Sequence, residues 1–277
     1  MNTKLILVEG IPGSGKSTFA KKIADFYTGR GLTVNLYNEG GYHPADLAWN
    51  ACVPIKDLDG LLAPYQSFRA EIDRNTHPEG DYAVISYPRV TAGDDAFYQE
   101  MEAHEVYDGR IPFEQFRKLL RQRWRAFGEQ AEKKEELTIF ECAFLQNQVS
   151  ELRNFQLAGL ETMKPYFREL LQTVEQLSPF LVYLAQTDVR NTLERTARER
   201  VFEGGSWIEG FIGYSESTPY GKAHGVKGMD GVARMLEERQ RLELELLRSL
   251  PLRSVVLENR ADDWEALWER LAGSLPV

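Results

Sequence analysis

The sequence of 277 residues has few cysteines, no long apolar run and a deficit of positive charge. Its two cysteines, Cys52 and Cys142, lie far apart and form no metal-ligand spacing, so we expect free thiols in a reducing cytoplasm. No apolar segment approaches the roughly 20 residues that span a bilayer. The first apolar stretch runs directly into a glycine-rich loop, which is not the pattern of a signal peptide. These absences predict a cytoplasmic protein without a membrane segment.

Acidic residues outnumber basic residues, 42 to 33, and the formal net charge is −9. This balance argues against a nucleic-acid partner bound through a broadly basic surface. The sequence has no internal repeat and no low-complexity segment, and its hydrophobic content of 43% is that of an ordinary globular protein. A chain of this length can bury one large core, or a core together with a lid subdomain.

The most specific motif is the glycine-rich stretch Gly10-Ile11-Pro12-Gly13-Ser14-Gly15-Lys16-Ser17-Thr18. It matches the phosphate-binding pattern G-x-x-x-x-G-K-[ST] at every fixed position. The apolar run at 5–8 before it predicts a buried strand, and the residues at 19–27 after it predict an amphipathic helix. A loop that closes onto a helix N-terminus supplies converging N–H donors and a positive dipole end to a triphosphate. The residues predicted to bind the nucleotide are Gly10, Pro12, Gly13, Ser14, Gly15, Lys16, Ser17 and Thr18.

Each residue type in this loop has a chemical reason to be there. Gly10, Gly13 and Gly15 let the backbone approach phosphate oxygens without a Cβ in the way. Lys16 would neutralise the β- and γ-phosphates and act in catalysis, and the Ser17 hydroxyl would bind Mg²⁺. Because the chain has no Asn-Lys-x-Asp segment that would read guanine, a GTPase is disfavoured. We therefore expect ATP and Mg²⁺ as cofactors.

Predicted strands and helices alternate along the chain. The predicted strands are 5–8, 33–37, 82–86, 137–140, 180–184 and 254–258. The predicted helices are 19–27, two helices within 94–135, 147–177, 189–201, 232–249 and 262–271. This alternation predicts an α/β fold, a three-layer P-loop NTPase sandwich around a parallel sheet, as a single domain over 1–277.

Two segments stand out from this alternation. Residues 42–135 form a long insertion, expected to be helical and to line an acceptor site, with short helices over 45–80. Residues 204–231 contain eight glycines and predict a long functional loop. Aromatic residues within it argue against plain disorder. Together with the arginine-rich helix before it, this loop predicts a lid region over about 190–231.

The order of these parts resembles the nucleoside and nucleotide kinase branch of P-loop proteins, of the thymidylate kinase type. The resemblance is carried by the loop, by Asn38-Glu39-Gly40, by Phe140-Glu141-Cys142 and by residues 193–200. In deoxynucleoside kinases a glutamate just after the second strand takes the proton from the attacking hydroxyl, which implies Glu39 as the catalytic base. A carboxylate at that edge of the sheet could orient a nucleophile. The alternative is a solvated loop acid.

Glu141 ends an apolar strand, where P-loop proteins place an acid that holds Mg²⁺ directly or through water. With Ser17, it is the predicted metal ligand. The sequence departs from the kinase pattern here, since aspartate is commoner at this position and is usually followed by arginine rather than by Cys142. A strand-end glutamate without a special role is the alternative, and Asp81 is a second candidate for the metal.

The helix at 189–201 resembles the lid helix of these kinases, which implies that Arg195 and Arg198 stabilise the transferring phosphoryl group. Planar guanidinium groups match phosphoryl oxygens well. The two arginines share a helical face, whereas Arg200 does not. The alternative is a solvent-exposed helix in which neighbouring glutamates pair with the arginines.

Further substrate-binding candidates are His43, Asp46, Arg89, Lys222 and His224, and Asn259-Arg260-Ala261 is the candidate adenine contact. The predicted function is an ATP-dependent phosphotransferase that moves the γ-phosphate to a small-molecule acceptor. The resemblance implies that this acceptor is a nucleoside or a nucleotide. The alternative is a regulatory P-loop NTPase in which hydrolysis moves residues 204–231. The sequence leaves open the identity of the acceptor and the oligomeric state, and a dimer is one of the options.

Overall fold

The computed structural model describes residues 2–39, 43–202, 205–259 and 264–276. The chain divides into two compact units, of which the first is Met1–Glu39 with Phe127–Val277 and the second is Gly40–Ala126. The strands are β1 (Leu5–Gly10), β2 (Thr33–Tyr37), β3 (Ala51–Pro54), β4 (Thr76–Glu79), β5 (Tyr82–Ile85), β6 (Glu136–Glu141), β7 (Phe180–Gln186), β8 (Val201–Phe202), β9 (Gly205–Ser206) and β10 (Arg253–Asn259). The α-helices are α1 (Lys16–Thr28), α2 (Ile55–Leu62), α3 (Arg69–Arg74), α4 (Asp95–Ala103), α5 (Phe113–Glu132), α6 (Gln146–Ser150), α7 (Leu160–Gln172), α8 (Val189–Glu199), α9 (Trp207–Ser217), α10 (Pro219–Ala223), α11 (Gly228–Arg248) and α12 (Trp264–Ala272).

The first unit contains a five-stranded sheet in the order β10-β7-β1-β6-β2, and every pair in it is parallel. The central strand β1 is buried along its whole length, because neighbouring strands cover its edges and helices cover its faces. A strand in this position needs a continuous apolar run, which explains why its sequence predicted it correctly. Since all five strands run the same way, their carboxyl ends meet at one edge of the sheet.

Helices cover both faces of this sheet, so the predicted α/β sandwich is confirmed. Alternate side chains of a strand point to opposite faces. On one face, Ile6 and Val8 of β1 pack with Phe19 and Ile23 of α1 and with α12. On the other face, Tyr183 of β7 contacts α11 through a hydrogen bond.

The prediction of a long loop over 204–231 is wrong, because most of that segment is helical. Helices α9 and α10 and the start of α11 occupy it. Apolar residues of α9, such as Trp207 and Phe211, pack against a core cluster that includes Leu193 and Leu236. Glycine serves packing here: a Cβ on Gly221 would lie 2.0 Å from a backbone oxygen of Ser215. A count of glycines therefore overstated the conformational freedom of the segment.

The second unit has its own core and its own sheet, an antiparallel one in the order β3-β5-β4. The predicted strand at 82–86 forms as β5, but in this sheet rather than in the parallel one. Strands β3 and β4 correct the expectation of short helices alone over 45–80. Both edge strands contain a proline, Pro54 and Pro78, which an edge tolerates and which hides a strand from sequence patterns. Helices α2 and α3 and the two helices predicted within 94–135, α4 and α5, are present.

Within the described ranges, no helix is both long enough and apolar enough to cross a membrane.

Candidate functional site

The glycine-rich loop joins the carboxyl end of β1 to the first residue of α1. Gly10, Gly13 and Gly15 have φ angles of 147°, 79° and 94°, a region that residues with a side chain rarely adopt. Gly15 is also the N-cap of α1, so the loop wraps tightly onto the helix N-terminus. This geometry directs backbone N–H groups and the positive end of the helix dipole to one place, as an anion site requires.

Two helices pack so closely against the loop that they leave no room for side chains at its glycines. A Cβ on Gly13 would lie 2.1 Å from the Thr196 hydroxyl of α8, and a Cβ on Gly15 would lie 2.4 Å from the Trp264 ring of α12. Glycine is therefore required here both by backbone conformation and by close approach. Sequence reasoning did not find Trp264, because packing against a glycine leaves no sequence pattern.

Lys16 and Ser14 are buried at the loop with hydrogen-bonding capacity to spare. The Lys16 ammonium donates to the carbonyl of Ile11 at 3.0 Å and carries two further N–H groups. The Ser14 hydroxyl is fully buried and has no hydrogen-bond partner among the described residues. A buried hydroxyl without a partner is costly, and a phosphate oxygen would satisfy it. The loop therefore fits a bound phosphate chain.

Ser17 and Glu141, the two predicted metal ligands, lie together although 124 positions separate them in the sequence. The Ser17 hydroxyl donates to Glu141 Oε1 at 2.6 Å. Within the described part of the chain, no group of three or more His, Cys, Asp or Glu side chains could hold a metal alone. Mg²⁺ at phosphate sites takes one or two protein oxygens and completes its shell with phosphate and water. This oxygen pair fits such a shared ion.

Glu39 follows β2 and is exposed, but its carboxylate is held on both oxygens. Gln146 donates its side-chain N–H to Oε1 at 2.8 Å, and the Cys142 thiol donates to Oε2 at 3.5 Å. Burial raises the pKa of the Cys142 thiol well above its ordinary value; Lys16 opposes this shift, and Glu39 and Glu141 add to it. The predicted base, the predicted metal ligand and the loop lysine therefore all act on one thiol at the sheet edge.

Sequence reasoning missed Glu9, a fully buried carboxylate on β1 directly before the loop. Its two oxygens accept hydrogen bonds from the backbone N–H groups of Phe144, at 2.8 Å, and Gln146, at 2.9 Å. Burial raises the pKa of Glu9 to about 7; the backbone donors lower it in part, and the charge of Glu243 adds to the rise. The sequence signal was an acid in an otherwise apolar strand, which demands buried partners.

Of the lid arginines, Arg195 lies at the loop. Its Nη2 donates to the carbonyl of Gly13 at 3.3 Å, and its Nε lies 4.0 Å from Glu199. Arg198 is exposed in the last turn of α8, and Arg200, which follows the helix, is exposed with its guanidinium 5.2 Å from the Trp207 ring centroid. The structure thus brings Arg195 to the phosphate loop, and a role for Arg198 stays a prediction.

Lys222 and His224 are exposed in α10 and just after it. The His224 ring stacks on Tyr220, with ring centroids 4.0 Å apart, and the Arg153 guanidinium lies 3.8 Å from the Tyr220 centroid. Their predicted contact with an anion stays a prediction. Asn259 is buried at the carboxyl end of β10, whereas Arg260 and Ala261 of the candidate adenine contact lie outside the described residues.

The remaining candidates belong to the second unit. His43 is buried, and its Nδ1 accepts backbone N–H groups of Ala45 and Asp46 at 3.1 and 2.7 Å. Burial, with a smaller contribution from Arg123, lowers the pKa of His43 to about 3, so the ring is neutral. Asp46 is buried and accepts the Tyr107 hydroxyl. Arg89 and Asp81 are exposed. The predicted substrate contacts of His43, Asp46 and Arg89, and the predicted metal contact of Asp81, stay predictions.

A parallel sheet with a glycine-rich phosphate loop between β1 and α1 defines the P-loop NTPase fold, and the chain has this fold. The sequence matches no family model and no curated protein. Among solved structures it is similar to a thymidylate kinase from Ehrlichia chaffeensis, at 12% identity over 99% of this chain and 98% of that chain, with a TM-score of 0.35. So low a score adds nothing to what the chain's own topology and loop establish.

Proposed function

We propose that the protein is an ATP-dependent phosphotransferase of the nucleoside and nucleotide kinase type, which moves the γ-phosphate of ATP to a small-molecule acceptor. The observation that carries this proposal is the way contacts at the carboxyl edge of the sheet bring together Lys16, Glu141 and Glu39. The Ser17 hydroxyl, next to Lys16, donates to Glu141, and the Cys142 thiol, next to Glu141, donates to Glu39. Phosphoryl transfer needs a phosphate cradle, metal ligands and a group that orients the nucleophile. The three residues correspond to those three needs.

The phosphate end of the site is formed by the loop and by α8. Backbone N–H groups at the N-terminus of α1 would bind the phosphates, and the Lys16 ammonium and Ser14 hydroxyl would add side-chain donors. Ser17 and Glu141 would hold Mg²⁺, which when bound supplies charge neutralisation to the β- and γ-phosphate oxygens. Arg195, already at Gly13, would stabilise charge on the transferring group, and Arg198 would join it.

The acceptor end of the site is centred on Glu39. This carboxylate is exposed, so an acceptor can reach it, and Gln146 fixes its orientation. It would accept a hydrogen bond from the acceptor hydroxyl, align that oxygen with the phosphorus and take the proton as the bond to phosphorus forms. A carboxylate held this firmly loses little rotamer entropy when an acceptor binds.

The alternative is a regulatory NTPase, in which residues 204–231 move on hydrolysis. Two observations favour the kinase. Helix α9 contributes to a packed cluster with Leu193 and Leu236, which a switch segment would have to leave. A carboxylate oriented by a buried amide serves an acceptor better than it serves bulk water. The compartment we propose is the cytoplasm, in keeping with two buried free thiols.

The test is ADP release across a panel of nucleosides, nucleotides, sugars and aminoglycosides, with and without Mg²⁺. We expect one acceptor class to raise turnover well above the background, with Lys16→Ala and Glu39→Gln abolishing the rise. Lys21→Ala is the matched control, since Lys21 is exposed on α1 and pairs with Asp25 away from the loop. Turnover that is lost in Lys16→Ala but indifferent to every acceptor would reject the kinase in favour of the regulatory NTPase.

A further inference from the structure

We propose that Glu9 is a positioning residue for the acceptor end of the site, acting through Gln146 on the catalytic candidate Glu39. The inference rests on the proposed function, because it assigns Glu9 a part in orienting the group that receives the acceptor. The Glu9 carboxylate accepts its hydrogen bonds from backbone N–H groups, so no contact with nucleotide or acceptor is assigned to it. It acts through the turn that joins β6 to α6.

The first step is the way in which Glu9 holds this turn. One oxygen accepts the N–H of Phe144 in the turn, and the other accepts the N–H of Gln146, the first residue of α6. The carboxylate therefore bridges the turn and the start of the helix. The neighbouring backbone bond from the Cys142 N–H to the Val8 carbonyl, at 3.1 Å, ties the start of the turn to the same strand. The turn is thereby fixed to β1 immediately before the phosphate loop.

The second step is a hydrogen-bond network that holds Gln146 from its other side. The Gln146 carbonyl accepts the Ser150 hydroxyl at 2.7 Å, and that hydroxyl accepts Arg239 Nη1 at 3.0 Å. Arg239 is paired in turn with Glu243, at 2.7 Å. The main chain of Gln146 is thus held at its N–H by Glu9 and at its carbonyl through α11.

The third step leads from Gln146 to Glu39. Because the main chain of Gln146 is held on both sides, it limits the positions that the side-chain amide can reach. In this arrangement the amide N–H donates to Glu39 Oε1. The Gln146 Oε1 atom is buried and has no partner among the described residues, so the amide is not anchored from that end. The orientation of Glu39 therefore depends on the backbone anchor that Glu9 supplies.

The anchor is sensitive to the protonation of Glu9. An ionised carboxylate accepts strongly on both oxygens, whereas a protonated one accepts strongly on only one. The charged or titratable groups that act on Glu9 include Glu243 on α11, Tyr183 on β7 and Cys142 after β6. Arg239, the positive group of this cluster, is paired with Glu243. Burial raises the pKa of Glu9 to about 7. The hold on the turn consequently changes near neutral pH.

The experiment compares the wild-type protein with Glu9→Gln, which keeps the size of the side chain but replaces one acceptor oxygen with a donor. The first measurement needs no acceptor: the ¹H–¹⁵N signals of the Gln146 side-chain amide, assigned with Gln146→Asn, are followed from pH 5.5 to 8.5. We expect the wild-type signals to titrate with a midpoint near 7, and those of Glu9→Gln to be displaced and flat over this range. Glu39→Gln in the same series separates any direct effect of the Glu39 charge.

The second measurement is turnover with the acceptor found in the panel. We expect Glu9→Gln to lower kcat about tenfold or more and to lose the acidic limb of the kcat profile near pH 7, with the Kd of an ATP analogue changed less than about twofold. Glu9→Asp, which retains both oxygens on a shorter stem, should restore the pH dependence in part. Tyr27→Phe is the stability control, since it removes a partly buried hydrogen bond to the Pro276 carbonyl, which is not part of the network around Glu9.

A Gln146 amide that titrates in Glu9→Gln as it does in the wild type would overturn the inference. So would a loss of nucleotide affinity in proportion to kcat, which a general structural defect would cause. If no acceptor stimulates the wild-type protein, the proposed function fails, while the amide titration still decides whether Glu9 positions Gln146. Failure of the proposed function and failure of the inference about Glu9 are therefore distinguished by separate measurements.

Discussion

The buried position of Glu9 predicts that the Glu9→Gln variant will differ from the wild type in how its stability depends on pH. Folding raises the pKa of Glu9 from its ordinary value of 4.5 to about 7, mainly because burial disfavours the charged form. A carboxyl group whose pKa is raised stabilises the folded state while it is protonated. This contribution is complete below the unfolded pKa of 4.5 and is lost as the pH rises through about 7.

The size of the effect follows from the same shift. Linkage gives a loss of about 2.5 kcal/mol in the free energy of unfolding between pH 5 and pH 8 that belongs to Glu9 alone. The assay is urea unfolding of the wild type and of Glu9→Gln at both pH values, monitored by far-UV circular dichroism and by tryptophan fluorescence. Other titrating groups cancel when the pH effect in the variant is subtracted from that in the wild type.

We expect the wild type to lose about 2 to 3 kcal/mol more than Glu9→Gln on going from pH 5 to pH 8. A difference below about 0.5 kcal/mol, or one of the opposite sign, would refute the reasoning, because it would mean that Glu9 is not desolvated in the folded protein. Agreement between the two spectroscopic probes is the check that one cooperative transition is being compared.

Three further predictions follow from the geometry. Gly13→Ala should weaken ATP-analogue binding tenfold or more, because a φ of 79° costs a residue with a Cβ on the order of 1–3 kcal/mol, whereas Gly210→Ala, in open space on α9, should leave the Kd unchanged. Ser17→Ala and Glu141→Gln should each raise the Mg²⁺ concentration for half-maximal turnover, with the Kd of Mg²⁺-free nucleotide nearly unaltered. Glu105→Gln should abolish a pH-dependent loss of stability between pH 5 and pH 8 in the second unit, since burial raises the pKa of Glu105 to about 7; proteolysis of that unit measures it.

The parts of the fold that the sequence predicted are those whose physical requirements are local. A central parallel strand must be apolar throughout, so 5–8, 137–140 and 180–184 were recognisable as strands. The phosphate loop was recognisable because its three glycines are fixed by backbone conformation. The Ser17–Glu141 pair followed from these two facts, since parallel strands end at one edge and the loop lies there.

The elements that were missed or misjudged depend on contacts distant in the sequence. Glycines in 204–231 predicted a loop, but Gly221 is there because Ser215 approaches it closely, and apolar side chains of α9 dock on a core that only the folded chain creates. Strands β3 and β4 are short, lie at sheet edges and contain proline. Glu9 bonds to backbone groups about 135 positions away, and backbone partners leave no trace in residue type.

The surroundings of the two carboxylates at the sheet edge suit them to the different tasks that we propose for them. Glu141 is buried at the end of β6 and bonded to the Ser17 hydroxyl, a setting that suits a hard cation shared with phosphate. Glu39 is exposed and bonded to an amide, a setting in which a carboxylate can meet an incoming hydroxyl. If the roles were exchanged, the metal ligand would be exposed to solvent and the base would be buried at the end of β6. The proposed difference in role therefore rests on burial rather than on residue type. It makes Glu39→Gln the variant that should separate acceptor chemistry from nucleotide binding.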